Sequence, residues 1–312
     1  MAELASILRK FKTKRGYIDF GVEEAKILVD ENCKPTDVVL RERGVGENLI
    51  EDFMIAANEC VATHVNYMSL PFVYRIHEVP KEEKIRSFLG FIGTLGYQIP
   101  GDIKDTRPTT MQRLLDFLRD KPEFKILSSL LLRSMQKAVY KPENVGHYGL
   151  ASPCYTHFTS PIRRYPDTTV HRLLHTYLFD GKIDMGTVKK WEEKLVYITE
   201  HSSSRERAAV DCEREVEDMK MAEYMEGHIG EEFEGMISSV TSFGMFVELD
   251  NLIEGLVPLR DMKDFFHYDE ERMTLTGERT HIKYCIGDRV LIKVVRASKD
   301  EKTIDFEVIK KI

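Results

Sequence analysis

The spacing of apolar residues changes near His228, and this change limits the folds that the chain can adopt. Before His228, apolar side chains recur every three or four residues, as they do on one face of an α-helix. After it, short runs of alternating apolar residues are separated by turn residues, as in β-strands. The sequence therefore predicts two domains, a mainly helical one over residues 1–227 and an all-β one over residues 228–312.

Most of the first domain has the apolar spacing of helices, with two exceptions. The run RGYIDFGV at 15–22 alternates, which predicts a strand. The stretch 143–161 is rich in Gly, Pro and Ser, which predicts a loop. We predict helices over residues 2–14, 47–65, 80–95 and 188–225, two more between Thr109 and Val139, and one that begins near Val170 and ends before Gly181.

Five strand-like runs in about 85 residues predict that the second domain is a small barrel of the OB type. Phe243 and Phe246 lie on either side of a glycine at the start of the second run. In OB barrels this face binds single-stranded nucleic acid, and aromatic rings stack on the bases. Their spacing is equally that of barrel core residues, which is the more common role for aromatics in a small barrel.

Composition narrows the class of protein further. Charged residues make up 31% of the chain in mixed sign, with a net charge of −7, so any contact with RNA must be local, for example through Lys293 and Arg296. The five cysteines form no Cys-x-x-Cys pair, which indicates reduced thiols without a zinc site or disulfide framework. The sequence has no secretion signal or apolar stretch of membrane-spanning length, so we expect a cytoplasmic protein.

The stretch HFTSPIRRYPD at 157–167 places two arginines between two prolines. Ser160 could cap a helix with Pro161 in its first position, and Pro166 would then kink that helix or restart it with Asp167 as the cap. Arginine suits bidentate contact with phosphate, and a helix N-terminus adds positive charge. An exposed pair bonded to carboxylates such as Asp167 explains the residues equally well.

A family resemblance favours the first of these interpretations. GHYGLASPCYTHFTSPIRRYPDTTVHRLL closely resembles a motif of the RNB domain in the ribonuclease II family, and RGYIDF, LIEDFMIAANECVA and PFVYRIHEVP resemble that domain in the same order. GEEFEGMISSVTSFGMFVELDNLIEGLVPLRDM resembles an S1 RNA-binding domain, although Pro258 stands where many S1 domains carry a histidine. The fold class that this implies is α+β, a mainly helical partial RNB catalytic domain followed by a five-stranded OB-type S1 barrel.

The resemblance also implies an activity, which is processive 3′→5′ hydrolysis of RNA to nucleoside 5′-monophosphates with a divalent metal, normally Mg²⁺. By its place in the motif, Arg163 is expected to hold the scissile phosphate. Glu213, in CEREVED, is expected to be an active-site glutamate. Expected RNA-binding residues are His157, Thr159, Arg164 and Tyr165 in the helical domain, and Phe243, Phe246 and Lys293 in the barrel.

Family members hold their metal with an aspartate cluster, D-x-x-x-x-x-D-x-D-D, which this sequence lacks. The nearest acidic run, GDIKDT at 101–106, has a different spacing. We therefore expect a chain that begins inside the RNB domain, binds no Mg²⁺ alone, binds the 3′ end of single-stranded RNA weakly and does not hydrolyse it. Its expected partner is the missing N-terminal half, and a sheet edge near 15–22 is expected to be exposed.

Two other hypotheses remain at this point. A non-catalytic RNA-binding protein or scaffold derived from the same fold is consistent with the absent aspartates. A generic S1 regulator is disfavoured by the intact RNB motif. His171 and His175 are four residues apart on one predicted helix, but without a third ligand at suitable spacing a helix-surface pair is favoured over a metal site.

Overall fold

The structure, a computed structural model, describes residues 1–98, 106–270 and 272–312. Its first part is mainly helical and its second part is formed by strands, so the predicted α+β class is confirmed. The helices are α1 (Ala2–Arg15), α2 (Val45–Tyr67), α3 (Glu82–Thr94), α4 (Pro108–Leu118), α5 (Phe124–Ser134), α6 (Tyr165–Leu174) and α7 (Met185–Glu226). The strands of the first part are β1 (Ala25–Val29), β2 (Pro35–Leu40), β3 (Tyr74–Ile76) and β4 (Val139–Lys141).

The predicted helices of the first part are all present. A single π-helical turn, His175–Phe179, extends α6, and Gly181 follows it with φ of 62°. Strand β1 pairs antiparallel with β2, and β3 pairs antiparallel with β4. Helix α7 is 42 residues long and buries side chains near its two ends, while residues 207–218 between them are exposed.

The strand predicted over residues 15–22 is wrong. Helix α1 instead runs to Arg15 and ends at Gly16, whose φ of 110° is in the left-handed region that favours glycine. The chain then has no regular secondary structure until β1, and the Ile18 amide donates to the Gly149 carbonyl at 3.0 Å. The alternating apolar pattern of residues 15–22 arises because Ile18 is buried between more exposed neighbours. Since these residues do not form a strand, the expected sheet edge is not formed there.

The predicted five-stranded barrel is confirmed. It closes in the order β11-β12-β7-β6-β5, and alternate side chains fill its core. A Cβ on Gly255 would lie 2.4 Å from the ring of buried Phe306, so only glycine fits there. The barrel strands are β5 (Glu232–Thr241), β6 (Gly244–Leu249), β7 (Glu254–Pro258), β11 (Arg289–Ser298) and β12 (Thr303–Lys311).

The polar segment 260–288 contains more structure than the sequence predicted. It forms a three-stranded antiparallel sheet of β8 (Phe266–Asp269), β9 (Thr274–Gly277) and β10 (Lys283–Cys285). These strands have only three or four residues each, too few for an alternating pattern to stand out. Leu275 and Tyr284 are buried in this sheet.

Buried apolar residues form two clusters that do not follow the predicted domain boundary. One joins α2, β3, β4, α6 and the first half of α7, and includes Phe72, Tyr140, Leu173 and Leu195. The other joins the barrel to α3, α4 and α5, so that Phe88 and Phe306 belong to one cluster. The predicted boundary at 227/228 lies in the turn between α7 and β5, and this second cluster crosses it. Within the part of the chain that the structure describes, no helix is long and apolar enough to cross a membrane.

Candidate functional site

The arginine pair lies on a turn that precedes α6. The Ser160 carbonyl accepts hydrogen bonds from the amides of Arg163 at 3.4 Å and Arg164 at 3.1 Å. The helix begins at Tyr165, with Arg164 as its N-cap and Pro166 in its first turn. The predicted helix start at Pro161 is therefore wrong, because the chain forms one turn there and starts the helix where the second proline fits without losing a hydrogen bond.

Asp167 holds this turn in place but does not cap the helix. Its carboxylate is completely buried, and Oδ1 accepts from the Ser160 amide at 2.8 Å and from Nη2 of Arg164 at 2.7 Å. Asp167 Oδ2, Arg164 Nε and the Thr159 hydroxyl are buried and have no hydrogen-bond partner among residues 1–98, 106–270 and 272–312. Three unpartnered polar groups within nine residues leave capacity for a ligand or water molecule.

Arg163 differs from Arg164 because its guanidinium group is not paired with a carboxylate of the described residues. Its side chain is exposed and forms no ion pair with any other described residue. Its neighbours Ile162 and Tyr165 are also exposed, at 102% and 50%. Arg164 is therefore bonded to a carboxylate, as one interpretation expected, whereas Arg163 is available to bind an anion and its expected role stays a prediction.

His157 packs against residues from three distant parts of the chain. We call this group, formed by Arg75, Tyr140, His157 and Glu206, the wall. Its Nδ1 lies 2.8 Å from the hydroxyl of Tyr140 in β4. The guanidinium of Arg75, in β3, lies 4.6 Å from the centroid of the Tyr140 ring and forms a 2.5 Å ion pair with Glu206 in α7. Burial lowers the pKa of His157 to about 2, and the charges of Arg164 and Arg75 act in the same direction.

A cleft of about 620 Å³ opens between this wall and the first half of α2. Its far side is lined mainly by apolar side chains of α2, including Ile50 and Met54, and its near side includes His157 and Arg164. Asn58 joins the two sides, because its amide donates to the Tyr155 hydroxyl at 3.0 Å and its carbonyl accepts from the Phe158 amide at 3.0 Å.

A second cleft of about 620 Å³ also borders α2, at Asn48 and Glu51. Glu51 lines both clefts. Here the charges are paired, since Lys12 lies 2.8 Å from Asp52, Arg43 lies 3.8 Å from Glu51, and Arg41 lies 3.0 Å from Glu24. The charge of the unpaired Arg163 acts on His157, which lines the first cleft, whereas these cations are paired, so the first cleft is the better candidate for an anion.

Sequence reasoning missed several members of this site. Arg75, Tyr140 and Glu206 lie far apart in the sequence, so no local motif connects them, whereas Tyr155 lies two residues before His157. Asn58 had a signal of its own, since it is a polar residue within the apolar run MIAANECVA and is buried.

Glu213 is exposed on α7, seven residues beyond Glu206. At about 1.5 Å per residue, this places it roughly 10 Å further along the helix axis than the ion pair with Arg75. Its negative charge contributes, after burial, to the raised pKa of Glu217. Its expected role as an active-site glutamate remains a prediction.

In the barrel, Phe243 is 57% exposed and Phe246 is partly exposed, with ring centroids 6.0 Å apart and an interplanar angle of 88°. Other residues of β6, including Met245 and Val247, fill the core beneath them. Lys293 is partly buried on β11, where it pairs across the sheet with Glu307 and Glu232. The two phenylalanines form an exposed aromatic pair of the kind on which bases stack.

The residues present do not fit a metal ion. No group of three or more His, Cys, Asp and Glu side chains that could hold one occurs in the described ranges. The acidic run GDIKDT lies outside the described residues except for Thr106.

Comparisons with known proteins agree with this geometry. The RNB domain matches residues 1–180, and the S1 RNA binding domain matches residues 227–309. The chain is 50% identical over 308 residues to Ribonuclease R 1 of Lactococcus lactis, which covers 98% of this chain and 38% of that protein. The apo form of Mycoplasma genitalium RNase R has a TM-score of 0.93 at 32% identity, covering 99% of this chain and 48% of that one.

The same Mycoplasma protein in complex with ribose methylated single-stranded RNA has a TM-score of 0.93 at 32% identity, covering the same shares of both chains. The chain thus spans less than half the length of these relatives.

Proposed function

Since the chain belongs to the RNB family, we propose that it is the phosphate-holding and RNA-binding part of a 3′→5′ exoribonuclease. The whole protein would hydrolyse single-stranded RNA processively from its 3′ end to nucleoside 5′-monophosphates, and a cytoplasmic location suits that role. The observation that carries this proposal is the turn before α6, on which Asp167 fixes Arg164 and leaves Arg163 free beside the cleft.

In this proposal, Arg163 binds the scissile phosphate. A guanidinium offers a planar set of donors, and a turn that is already fixed loses less entropy when it binds. Arg164 lines the cleft with its charge and holds the turn through Asp167. Tyr165, half-exposed beside it, offers a ring to the RNA, and Thr159 offers a buried hydroxyl that has no partner in the described parts of the chain.

The barrel binds the part of the RNA that has not yet reached the cleft. Phe243 and Phe246 would stack on bases, with about 1–3 kcal/mol per stacked base. Lys293 would add a local positive charge on a domain that is acidic as a whole. The solved complex of the Mycoplasma relative with single-stranded RNA supports RNA as the ligand.

The whole enzyme is expected to use Mg²⁺, but the described residues do not form a site for it. The chain alone would therefore bind RNA without hydrolysing it, and its partner would be the N-terminal half of the RNB domain, which supplies the metal-binding aspartates. The match covers only 38% of the Lactococcus relative, so that protein has further residues that could include such a half.

Binding can be measured by fluorescence anisotropy with a 5′-labelled single-stranded RNA that has a free 3′ end. We expect Arg163→Ala to weaken binding about tenfold, the effect of losing one charge-assisted contact of roughly 1.5 kcal/mol. Arg86→Ala, at an exposed arginine of α3, is the control and should leave affinity unchanged. Equal losses in the two variants would contradict a specific phosphate site.

Activity is tested by incubating the chain and RNA with Mg²⁺, alone and after adding the preceding part of the Lactococcus relative. We expect mononucleotides only in the mixture. Release of mononucleotides by the chain alone would show that the proposed division of the site is wrong.

A second candidate function is a non-catalytic RNA-binding protein or scaffold. The observation that favours it is the lack of a metal-ligand group among residues 1–98, 106–270 and 272–312. Tight RNA binding that never leads to hydrolysis, even in a mixture that forms a stable complex, would support this function over the enzyme.

A further inference from the structure

His157 is enclosed by two tyrosine rings on the wall of the cleft. The Tyr140 and Tyr155 centroids lie 5.6 Å and 5.7 Å from its ring, both in edge-to-face geometry. Only Nδ1 is bonded, at 2.8 Å from the Tyr140 hydroxyl. Within the described residues no hydrogen bond reaches Nε2, while the side chain itself lines the cleft. One ring nitrogen is therefore held by the protein and the other remains for a ligand.

The direction of the bond between Tyr140 and His157 follows from what else surrounds the hydroxyl. Tyr140 is buried, and burial raises its pKa to about 12, so the hydroxyl keeps its proton. His157 is its only hydrogen-bond partner among the residues that the structure describes. If the hydroxyl accepted from Nδ1, its own proton would be buried without an acceptor, which costs about 1–3 kcal/mol. The hydroxyl therefore donates to Nδ1.

The groups that face His157 keep its ring neutral. Arg163 and Arg164 approach from the turn before α6, Arg75 from β3, and His147 from the loop between β4 and α6. Tyr140 and Tyr155 are the other titratable neighbours. The carboxylates of Glu206 and Asp167, which act on Tyr140, are paired with Arg75 and Arg164. Positive charge surrounds the ring, so a proton on both nitrogens is disfavoured.

We propose that Tyr140 is a positioning residue whose hydroxyl holds His157 as the neutral tautomer with its proton on Nε2, and that this Nε2–H donates to a phosphate oxygen of RNA bound in the cleft. The second half of this proposal rests on the proposed function. A phosphate is the expected acceptor because Arg164 lines the same cleft and the free Arg163 is next to it in the chain. A neutral donor there adds a directed hydrogen bond to the contacts of the two guanidinium groups.

The tautomer can be observed directly by ¹H–¹⁵N correlation spectra of the histidine side chains, with His157 assigned from a His157→Gln sample. We expect the pattern of a ring protonated on Nε2 alone, at pH 7 and unchanged at pH 5.5. Tyr140→Phe should change it to a mixture of tautomers. The matched control is Tyr74→Phe, which removes the hydroxyl of a buried tyrosine that does not line the cleft and donates to Asn66, and which should leave the pattern unchanged.

A wild-type ring protonated on Nδ1, a doubly protonated ring at pH 5.5, or an unchanged tautomer in a folded Tyr140→Phe variant would each overturn the role of Tyr140. Single-stranded RNA should shift the Nε2 resonance, and single-stranded DNA should shift it too, since both supply phosphate. A shift with RNA alone would overturn the phosphate contact, as would bound RNA that leaves the resonance in place.

Affinity provides a second readout. We expect Tyr140→Phe to weaken RNA binding about fivefold, the effect of one misdirected hydrogen bond, and Tyr74→Phe to leave it unchanged. Equal affinities for Tyr140→Phe and the wild type would overturn the phosphate contact. If the wild type bound no RNA at all, the proposed function and the phosphate contact would both fail, whereas the spectra would still decide the role of Tyr140.

Discussion

Asp167 in the helical domain and Asp264 in the barrel are both buried, but they are used differently. Asp264 has donors on both oxygens, with Phe265 N at 2.8 Å from Oδ1 and the Thr280 amide and hydroxyl at 2.8 and 2.7 Å from Oδ2. Asp167 has donors on Oδ1 alone, and Oδ2 is unpartnered within the described ranges. A carboxylate that accepts hydrogen bonds on both oxygens stabilises a loop. A carboxylate with one unpartnered oxygen can still accept a hydrogen bond from a ligand or water molecule.

The largest expected effect comes from Asp264→Asn. Asparagine has one accepting oxygen where Asp264 has two, so its NH2 group must face either the Phe265 amide or the donors of Thr280, whose hydrogen bonds are the main cause of the lowered pKa of Asp264. We expect the melting temperature to fall by about 5–10 °C, against about 2–4 °C for Asp167→Asn, because the asparagine there can still accept from Ser160 and Arg164. Scanning calorimetry measures the melting temperatures of both variants. A larger decrease for Asp167→Asn than for Asp264→Asn would contradict the roles given to the two carboxylates.

The two domains should also respond differently to acid. Burial lowers the pKa of His147 to about 3 and of His157 to about 2, below their unfolded value of about 6.5. The unfolded chain therefore takes up protons that the folded chain does not, and stability is lost as the pH falls below about 6.5. The loss between pH 7 and pH 5 is about 2 kcal/mol for each histidine.

Asp264 acts in the same direction but over a lower range of pH. Its lowered pKa adds stability above the unfolded pKa of an aspartate, near 3.8, and this is lost only at lower pH. Urea unfolding at pH 7 and pH 5 can be followed by the fluorescence of Trp191, the only tryptophan, which packs against the cluster in the helical domain. His147→Gln should reduce the difference in the free energy of unfolding between pH 7 and pH 5. If the wild type showed no such difference, the histidines would not be buried in their neutral form.

The aromatic pair of the barrel should affect binding without affecting stability. Phe243→Ala is expected to weaken RNA binding by about 1–3 kcal/mol, because the ring is 57% exposed and available for stacking. The matched control is Phe265→Ala, whose ring is 64% exposed but lies outside the predicted binding face. Equal losses in anisotropy titrations would show that the barrel binds RNA without using β6 as its face.

The sequence predicted features that depend on local spacing and missed those that depend on distant contacts. Helices such as α2 and α7 and the barrel strands follow from apolar periodicity. The strand at 15–22 failed because a helix cap and one buried isoleucine imitate alternation. The wall behind His157 could not be predicted, because Arg75, Tyr140 and Glu206 meet only in the folded chain.

The smallest expected effect on stability comes from removing an ion pair between the barrel and α7. Lys302, at the tip of the β11–β12 hairpin, lies 2.7 Å from Glu215, and their side chains are 39% and 67% exposed. Exposed pairs of this kind contribute little, so Lys302→Ala should shift the melting temperature by less than about 2 °C, and 1 M salt should affect variant and wild type alike. The apolar cluster shared with α3, α4 and α5 is then what holds the barrel in place. A shift well above this, abolished by salt, would show that surface charge and not the shared core joins the two domains.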